Sequence, residues 1–176
     1  MGALDITLCG VVFLAAGFDL RSRRIPNWLT VTGFAVALGL RGLTGLDPFL
    51  SGLAAAGLAF LLSLPFFALG GFGGGDVKLL TAVGAFLGLD RLWVGLAATA
   101  IAGAIFALVT IVRRRRFQET AWNLYMISKK LPTRSAYAGW KQEDGDGLNI
   151  RSAGAVTQPY GVPIAIGALW AVNPFF

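Results

Sequence analysis

Most of this chain consists of apolar stretches that are long enough, or nearly long enough, to cross a lipid bilayer as helices. A membrane-spanning helix needs about 20 predominantly apolar residues, and 56% of the 176 residues are hydrophobic whereas only 14% are charged. The candidate spans are Ala3 to Leu20, Trp28 to Leu43, Phe49 to Leu69, Val77 to Leu89, Leu92 to Val112 and Tyr160 to about Phe175. We therefore expect an all-α, polytopic integral membrane protein with about six transmembrane helices, in which residues 1–176 form a single membrane-embedded domain.

The basic residues predict the orientation of these spans, because cytoplasmic loops carry an excess of lysine and arginine. With the N-terminus outside the cytoplasm, Arg41 and Arg91 are the basic residues that fall outside. The others fall inside: Arg21, Arg23, Arg24, Lys78, the run Arg113 to Arg116, Lys129, Lys130, Arg134, Lys141 and Arg151. A chain with five or seven spans would break this pattern, so the charges support six.

Residues 113–159 form the longest predicted cytoplasmic loop. Apolar residues such as Trp122 and Leu131 alternate there with polar ones, as in a helix that lies on the inner leaflet, and the preceding arginine run would hold it against anionic lipids. A solvated basic loop that only fixes the topology is an equally good interpretation, and the sequence leaves both open.

Composition excludes several kinds of chemistry. The chain has no histidine, which removes Ser-His-Asp and Cys-His nucleophiles, and its single cysteine, Cys9, cannot form a zinc site or an internal disulfide. The net charge of +6 belongs to loops beside apolar spans, so we expect the lipid bilayer, and no nucleic acid, as a partner. We expect no cofactor and no metal, and a homo-oligomer is compatible with the sequence.

Two aspartates stand apart from the other acidic residues. Asp19 directly follows the apolar run Val11 to Phe18, and Asp76 lies between the glycine-rich segment 70–75 and the fourth span. An ionisable group at the edge of the hydrocarbon region is costly without a partner or a wet cavity. In the predicted orientation both lie at the cytoplasmic face, at one depth, where two carboxylates can share a proton and hydrolyse a peptide bond.

The helix dipole suggests which carboxylate is the base. Asp76 is predicted in the first turn of its helix, which favours an anion, whereas Asp19 is predicted at a helix C-terminus, which disfavours one. We therefore take Asp76 as base and Asp19 as acid, although Arg21, Arg23 and Arg24 oppose the second half of this reasoning.

Small residues recur at helical spacing in the fourth and fifth spans. They are Gly84 with Gly88, and Gly95 with Thr99 and Gly103. Such spacing lets neighbouring helices approach closely.

Two segments that contain the aspartates resemble a known family. Asp19-Leu-Arg-Ser-Arg-Arg-Ile25-Pro26-Asn27 is similar to the first motif of type IV prepilin peptidases, and Gly73-Gly74-Gly75-Asp76-Val77-Lys78-Leu79 resembles the second, the GxGD motif followed by lysine. The stretch Pro159 to Ala165 is similar to the start of the last helix of that family.

The resemblance implies an aspartyl endopeptidase in the bacterial cytoplasmic membrane, with Asp19 and Asp76 as the catalytic pair. The implied substrate is a prepilin or pseudopilin of the type IV pilus or a related secretion system. Its short basic leader ends in glycine and is followed by an apolar helix with an acidic residue near its start. Substrate contacts are expected at Gly73, Gly75, Lys78, Pro26 and Asn27. Lys78 is equally well explained as a charge that sets topology, and Pro26 and Asn27 are also explained by a structural role in the turn into the second span.

The larger family members carry an N-terminal cytoplasmic region that is associated with methylation of the new N-terminus. This sequence begins directly with the first span, so it resembles the short, peptidase-only members of tight-adherence (Flp-type) pilus systems, and we expect no methyltransferase activity. The rival hypothesis is a small transporter or channel that uses the same carboxylates for protons or ions.

Overall fold

The computed structural model describes residues 2–68, 71–114 and 160–173, and all regular secondary structure in these residues is helical. The helices are α1 (Ala3–Ser22), α2 (Asn27–Thr44), α3 (Leu46–Ala68), α4 (Gly74–Arg114) and α5 (Gly161–Ala171). The all-α prediction is confirmed. The predicted cytoplasmic loop lies outside the described residues apart from the end of α4.

The chain divides into two compact units. The first comprises residues 1–106 and 156–176 and contains both aspartates; the second comprises residues 107–155. In the first unit α1 packs against α2 and α5, and α2 packs against α3.

Helix α4 reverses direction at Gly88. This glycine has φ 68° and ψ 177°, a conformation that is essentially restricted to glycine. A straight helix would place Gly103 about 44 Å from Gly74, since each residue adds about 1.5 Å. Instead, a residue just before the start of α4 and a residue on its second limb both approach Tyr160: the Tyr160 ring lies 5.1 Å from that of Phe72, and a Cβ at Gly103 would lie 4.0 Å from Cε1 of Tyr160. The prediction of separate fourth and fifth spans therefore agrees with the reversal.

Small residues allow the second limb of α4 to pack closely against α5. Gly95 faces Ala171 of α5, Thr99 contacts Gly167, and Gly103 faces Pro163. As numbers rise by four along one helix they fall by four along the other, so the two segments run antiparallel. The close approach predicted at Gly95, Thr99 and Gly103 is confirmed. Gly88 lies at the reversal of α4.

The remaining contacts of the reversal define the end of the bundle opposite the aspartates. Arg41 donates a hydrogen bond of 2.9 Å to the carbonyl oxygen of Phe86 and another of 3.1 Å to that of Pro48. The N–H of Leu89 donates to the hydroxyl of Ser51. Arg91 and Asp5 form an ion pair at 3.2 Å. Arg41 and Arg91, the two arginines predicted outside, therefore share this end.

The surface of the bundle is that of a protein in lipid. Small and aliphatic side chains, among them Ala15, Ala55 and Leu79, are buried, while large apolar ones such as Phe13 and Leu43 are exposed. Among the described residues, three helical segments are long and apolar enough to cross a membrane: Ala3–Ser22, Leu46–Ala68 and Gly74–Thr110. The chain is thus an integral membrane protein. The number of crossings and the side of the N-terminus stay predictions.

Candidate active site

Asp19 lies near the C-terminal end of α1, and its side chain is only 5% exposed. The helix ends at Arg23, which adopts the left-handed conformation and donates its N–H to the carbonyl oxygen of Asp19 at 2.8 Å. This is an αL termination of the helix. The carboxylate accepts a buried hydrogen bond of 2.7 Å from the N–H of Gly161, at the start of α5. Backbone and side chain of Asp19 are therefore both fixed.

Asp76 lies in the first turn of α4, as the sequence predicted, and is 9% exposed. Its Oδ2 accepts a hydrogen bond of 2.8 Å from the N–H of Gly73, the residue before the helix. An acidic side chain that reaches back to the residue preceding its helix satisfies a donor that the helix leaves unpaired. The glycine-rich segment is non-helical at residues 71–73, and Gly74 and Gly75 already belong to the helix.

The two carboxylates lie at the same end of the bundle. The rings of Phe72 and Tyr160, which precede the glycines that bind Asp76 and Asp19, lie 5.1 Å apart between centroids. Each carboxylate accepts a backbone N–H at a helix N-terminus, Asp76 at its own helix and Asp19 at α5. Because each carboxylate accepts an N–H at a helix N-terminus, the helix dipole no longer indicates which of them is the base. The choice of Asp76 as base stays a prediction.

The predicted substrate-contacting residues surround this end of the bundle. Lys78 donates a hydrogen bond of 2.8 Å to the side-chain oxygen of Asn27, which ties α4 to the start of α2. Pro26 precedes α2, and its carbonyl accepts the N–H groups of Leu29 and Thr30.

The glycines before and within the first turn of α4 have structural roles. A Cβ at Gly75 would lie 3.2 Å from that of Ile25, and one at Gly73 would lie 3.2 Å from Oδ2 of Asp76. Both contacts are tight. These observations explain both residues without a substrate, so their role in substrate binding stays a prediction.

Three residues at this site were not singled out by the sequence. Gly161 holds Asp19, Tyr160 precedes it, and the ring of Phe72 contacts the ring of Tyr160. The sequence signal was the resemblance of the stretch 159–165 to a family helix, which gave no residue a role. A hydrogen bond across 142 positions has no local signature.

In the part of the chain that the structure describes, no group of three or more aspartate, glutamate, cysteine or histidine residues could hold a metal ion. The expectation of metal-independent chemistry stays a prediction.

The chain is similar to a known family of peptidases and to a curated relative. Residues 6–108 match the type IV leader peptidase family, and the match includes both aspartates and the reversal of α4. The chain is also 28% identical over 112 residues to the prepilin leader peptidase/N-methyltransferase of Bacillus subtilis (strain 168). That alignment covers 62% of this chain and 45% of the relative, so the chain matches less than half of the relative's length. No solved structure matches the chain.

Proposed function

Because this chain belongs to the type IV leader peptidase family, we propose that it is an aspartic-type endopeptidase that removes the leader of prepilins or pseudopilins. Cleavage occurs after the glycine that ends the short basic leader, at the cytoplasmic face of the bacterial inner membrane. Asp19 and Asp76 are the catalytic residues. The reaction needs no metal or cofactor, because the two carboxyl groups supply both the acid and the base.

The observation that carries this proposal is the location of two buried carboxylates, those of Asp19 and Asp76, at one end of the bundle. Two carboxylates that come close together favour a state with a single shared proton. The ionised member takes a proton from a water molecule, whose oxygen attacks the scissile carbonyl carbon. The protonated member donates a hydrogen bond to the carbonyl oxygen. The tetrahedral intermediate then collapses as its carbon–nitrogen bond breaks, and the leaving amine receives the proton that the first carboxylate took from water.

The location of the pair suits the proposed substrate. A prepilin keeps its apolar helix in the bilayer and its basic leader in the cytoplasm, so the scissile bond lies near the membrane surface. Lys78 is exposed beside Asn27 at this end of the bundle, where its ammonium can meet the acidic residue that follows the cleavage site. The Flp-type prepilins are the proposed substrate class, and the chain cleaves without methylating.

Co-expression tests the proposal directly. The probe is a tagged model prepilin with a basic leader ending in glycine and an apolar helix that carries an acidic residue near its start. The wild-type protein should shorten it on a gel, whereas Asp19→Asn and Asp76→Asn should each abolish cleavage, since neither variant can share a proton between two carboxylates. Asp47→Asn, at the opposite end of the bundle in the first turn of α3, is the matched control and should process fully.

Full processing by Asp19→Asn or Asp76→Asn would refute the proposal. Failure of wild-type processing, together with a proton flux in vesicles that both substitutions remove, would favour the transporter instead.

A further inference from the structure

The two carboxylates are held by two backbone amides of the same kind. Gly73 donates its N–H to Asp76 at 2.8 Å, and Gly161 donates its N–H to Asp19 at 2.7 Å. The separation of the carboxylates therefore depends on the separation of these two glycines.

An aromatic residue precedes each glycine, and the two rings touch. Phe72 and Tyr160 lie 5.1 Å apart between ring centroids with an interplanar angle of 62°, an edge-to-face arrangement that is favourable for aromatic pairs. On its other side Phe72 stacks on Phe66 at 5.3 Å, and the N–H of Phe72 donates to the carbonyl oxygen of Phe66. The Phe72 ring is thus anchored to α3.

Gly161 leaves no room for a side chain. A Cβ there would lie 2.9 Å from Oδ2 of Asp19 and 3.0 Å from its Cβ. The carboxylate can approach the amide at hydrogen-bond distance because position 161 is a glycine.

We infer that Phe72, Gly73, Tyr160 and Gly161 form a brace that sets the distance between the carboxylates of Asp19 and Asp76. The contact with Phe72 is made by the ring of Tyr160. All four are positioning residues, since they act through the aspartates. The inference rests on the proposed function, which makes the aspartates catalytic.

The brace should affect the chemical step far more than substrate binding. A displacement of reacting groups by about 1 Å can lower a rate about 100-fold, while the membrane-embedded helix of a prepilin still binds elsewhere on the enzyme. We therefore expect changes in kcat with KM nearly constant.

The test measures kcat and KM of the full chain in proteoliposomes, with the model prepilin described above. Phe72→Leu and Tyr160→Leu should each lower kcat roughly tenfold, below the loss for a full 1 Å displacement. The double variant should lose no more than about twofold beyond either single variant, because both remove one shared contact. Tyr160→Phe keeps the ring and should retain kcat within about twofold.

Gly161→Ala provides an independent arm and should lower kcat about 100-fold. Gly17→Ala is its matched control, because it lies two positions from Asp19 in α1 and a Cβ there meets nothing within 4 Å. Phe13→Leu, at an exposed position of α1, is the control for the ring substitutions. A thermal unfolding midpoint in detergent within a few degrees of wild type shows that a variant is folded.

Three results would overturn the brace: losses that multiply in the double variant, loss of kcat in Tyr160→Phe equal to that in Tyr160→Leu, or wild-type kcat in Gly161→Ala. If Asp19→Asn and Asp76→Asn are inactive in the same assay, such a result refutes the brace alone. If they are active, the proposed function itself fails.

Discussion

The guanidinium of Arg41 donates a hydrogen bond of 2.9 Å to the carbonyl oxygen of Phe86, two residues before the reversal of α4. Gly88 interrupts the helix there, so the last carbonyls of the first limb lose their partners within the helix. Arg41 replaces one of these partners and also binds the carbonyl of Pro48 in α3. This contact joins α2, α3 and α4 at the end of the bundle opposite the aspartates.

Arg41→Met should destabilise the protein by about 2 kcal/mol, because it leaves two partly buried carbonyl oxygens without their hydrogen-bond donor. Thermal unfolding in detergent measures the change. Arg91→Met is the matched control at the same end: its ion pair with Asp5 is exposed on the arginine side and should contribute no more than about 1 kcal/mol. Equal destabilisation by both substitutions would contradict the role given to Arg41.

Gly88→Ala should lower stability by about 1–3 kcal/mol. Its φ of 68° disfavours any side chain, and a Cβ there would lie 2.5 Å from Nη2 of Arg41. Chemical denaturation in mixed micelles measures the loss, with Gly57→Ala as control, since a Cβ at position 57 meets nothing within 4 Å. Unchanged stability of Gly88→Ala would show that the reversal of α4 does not require glycine at position 88.

Leader cleavage should depend on pH with a bell-shaped profile of kcat/KM. One carboxylate of the pair must be ionised and the other protonated, so activity falls when both are protonated and when both are ionised. The measurement is kcat/KM for the model prepilin across the acid and neutral range in proteoliposomes. A rate that stays flat over this range would argue against a pair that shares a proton.

Lys78→Met should raise KM for a prepilin that carries an acidic residue after the cleavage site, with kcat nearly unchanged. A substrate in which that residue is glutamine should show a smaller effect, because the charge pair is already absent. Asn27→Ala removes the hydrogen-bond partner of Lys78 but leaves the charge of Lys78 in place. It therefore distinguishes a role of Lys78 in substrate binding from its role in linking α4 to α2. If Lys78→Met changes KM by the same factor for both substrates, Lys78 does not bind the acidic residue and its charge only sets topology.

The purified protein should release the leader without methylating the product. Radiolabelled S-adenosylmethionine supplied together with the model prepilin provides the measurement. Shortened but unlabelled pilin is the expected result, and label in the shortened band would refute a peptidase-only activity. The Bacillus subtilis prepilin leader peptidase/N-methyltransferase, treated in parallel, is the positive control.

Much of this architecture could be predicted from the sequence. The apolar runs predicted helices whose observed bounds differ by a few residues, as in α1 (Ala3–Ser22) and α2 (Asn27–Thr44). The isolated aspartates beside apolar spans predicted that Asp19 and Asp76 would share one end of the bundle. The spacing of Gly95, Thr99 and Gly103 predicted close packing of the second limb of α4, which α5 provides.

Other features had no local signal. The sequence predicted a dipole difference between the aspartates because each was considered on its own helix, and the structure brings the N-terminus of α5 to Asp19. The substrate contact predicted at Gly75 stays a prediction, and the structure adds a close approach to Ile25 that the sequence did not indicate. In each case a segment distant in sequence supplies the missing neighbour.

The sequence by itself determined where the helices form, which of them are apolar enough for lipid, and which two carboxylates stand at their ends, because hydropathy, periodicity and charge are properties of short segments. The tertiary structure decided what holds those carboxylates: the amide of Gly161 for Asp19, the contact of Phe72 with Tyr160, and the guanidinium of Arg41 at the reversal of α4. These contacts join residues far apart in the chain, and their geometry exists only once the helices have packed.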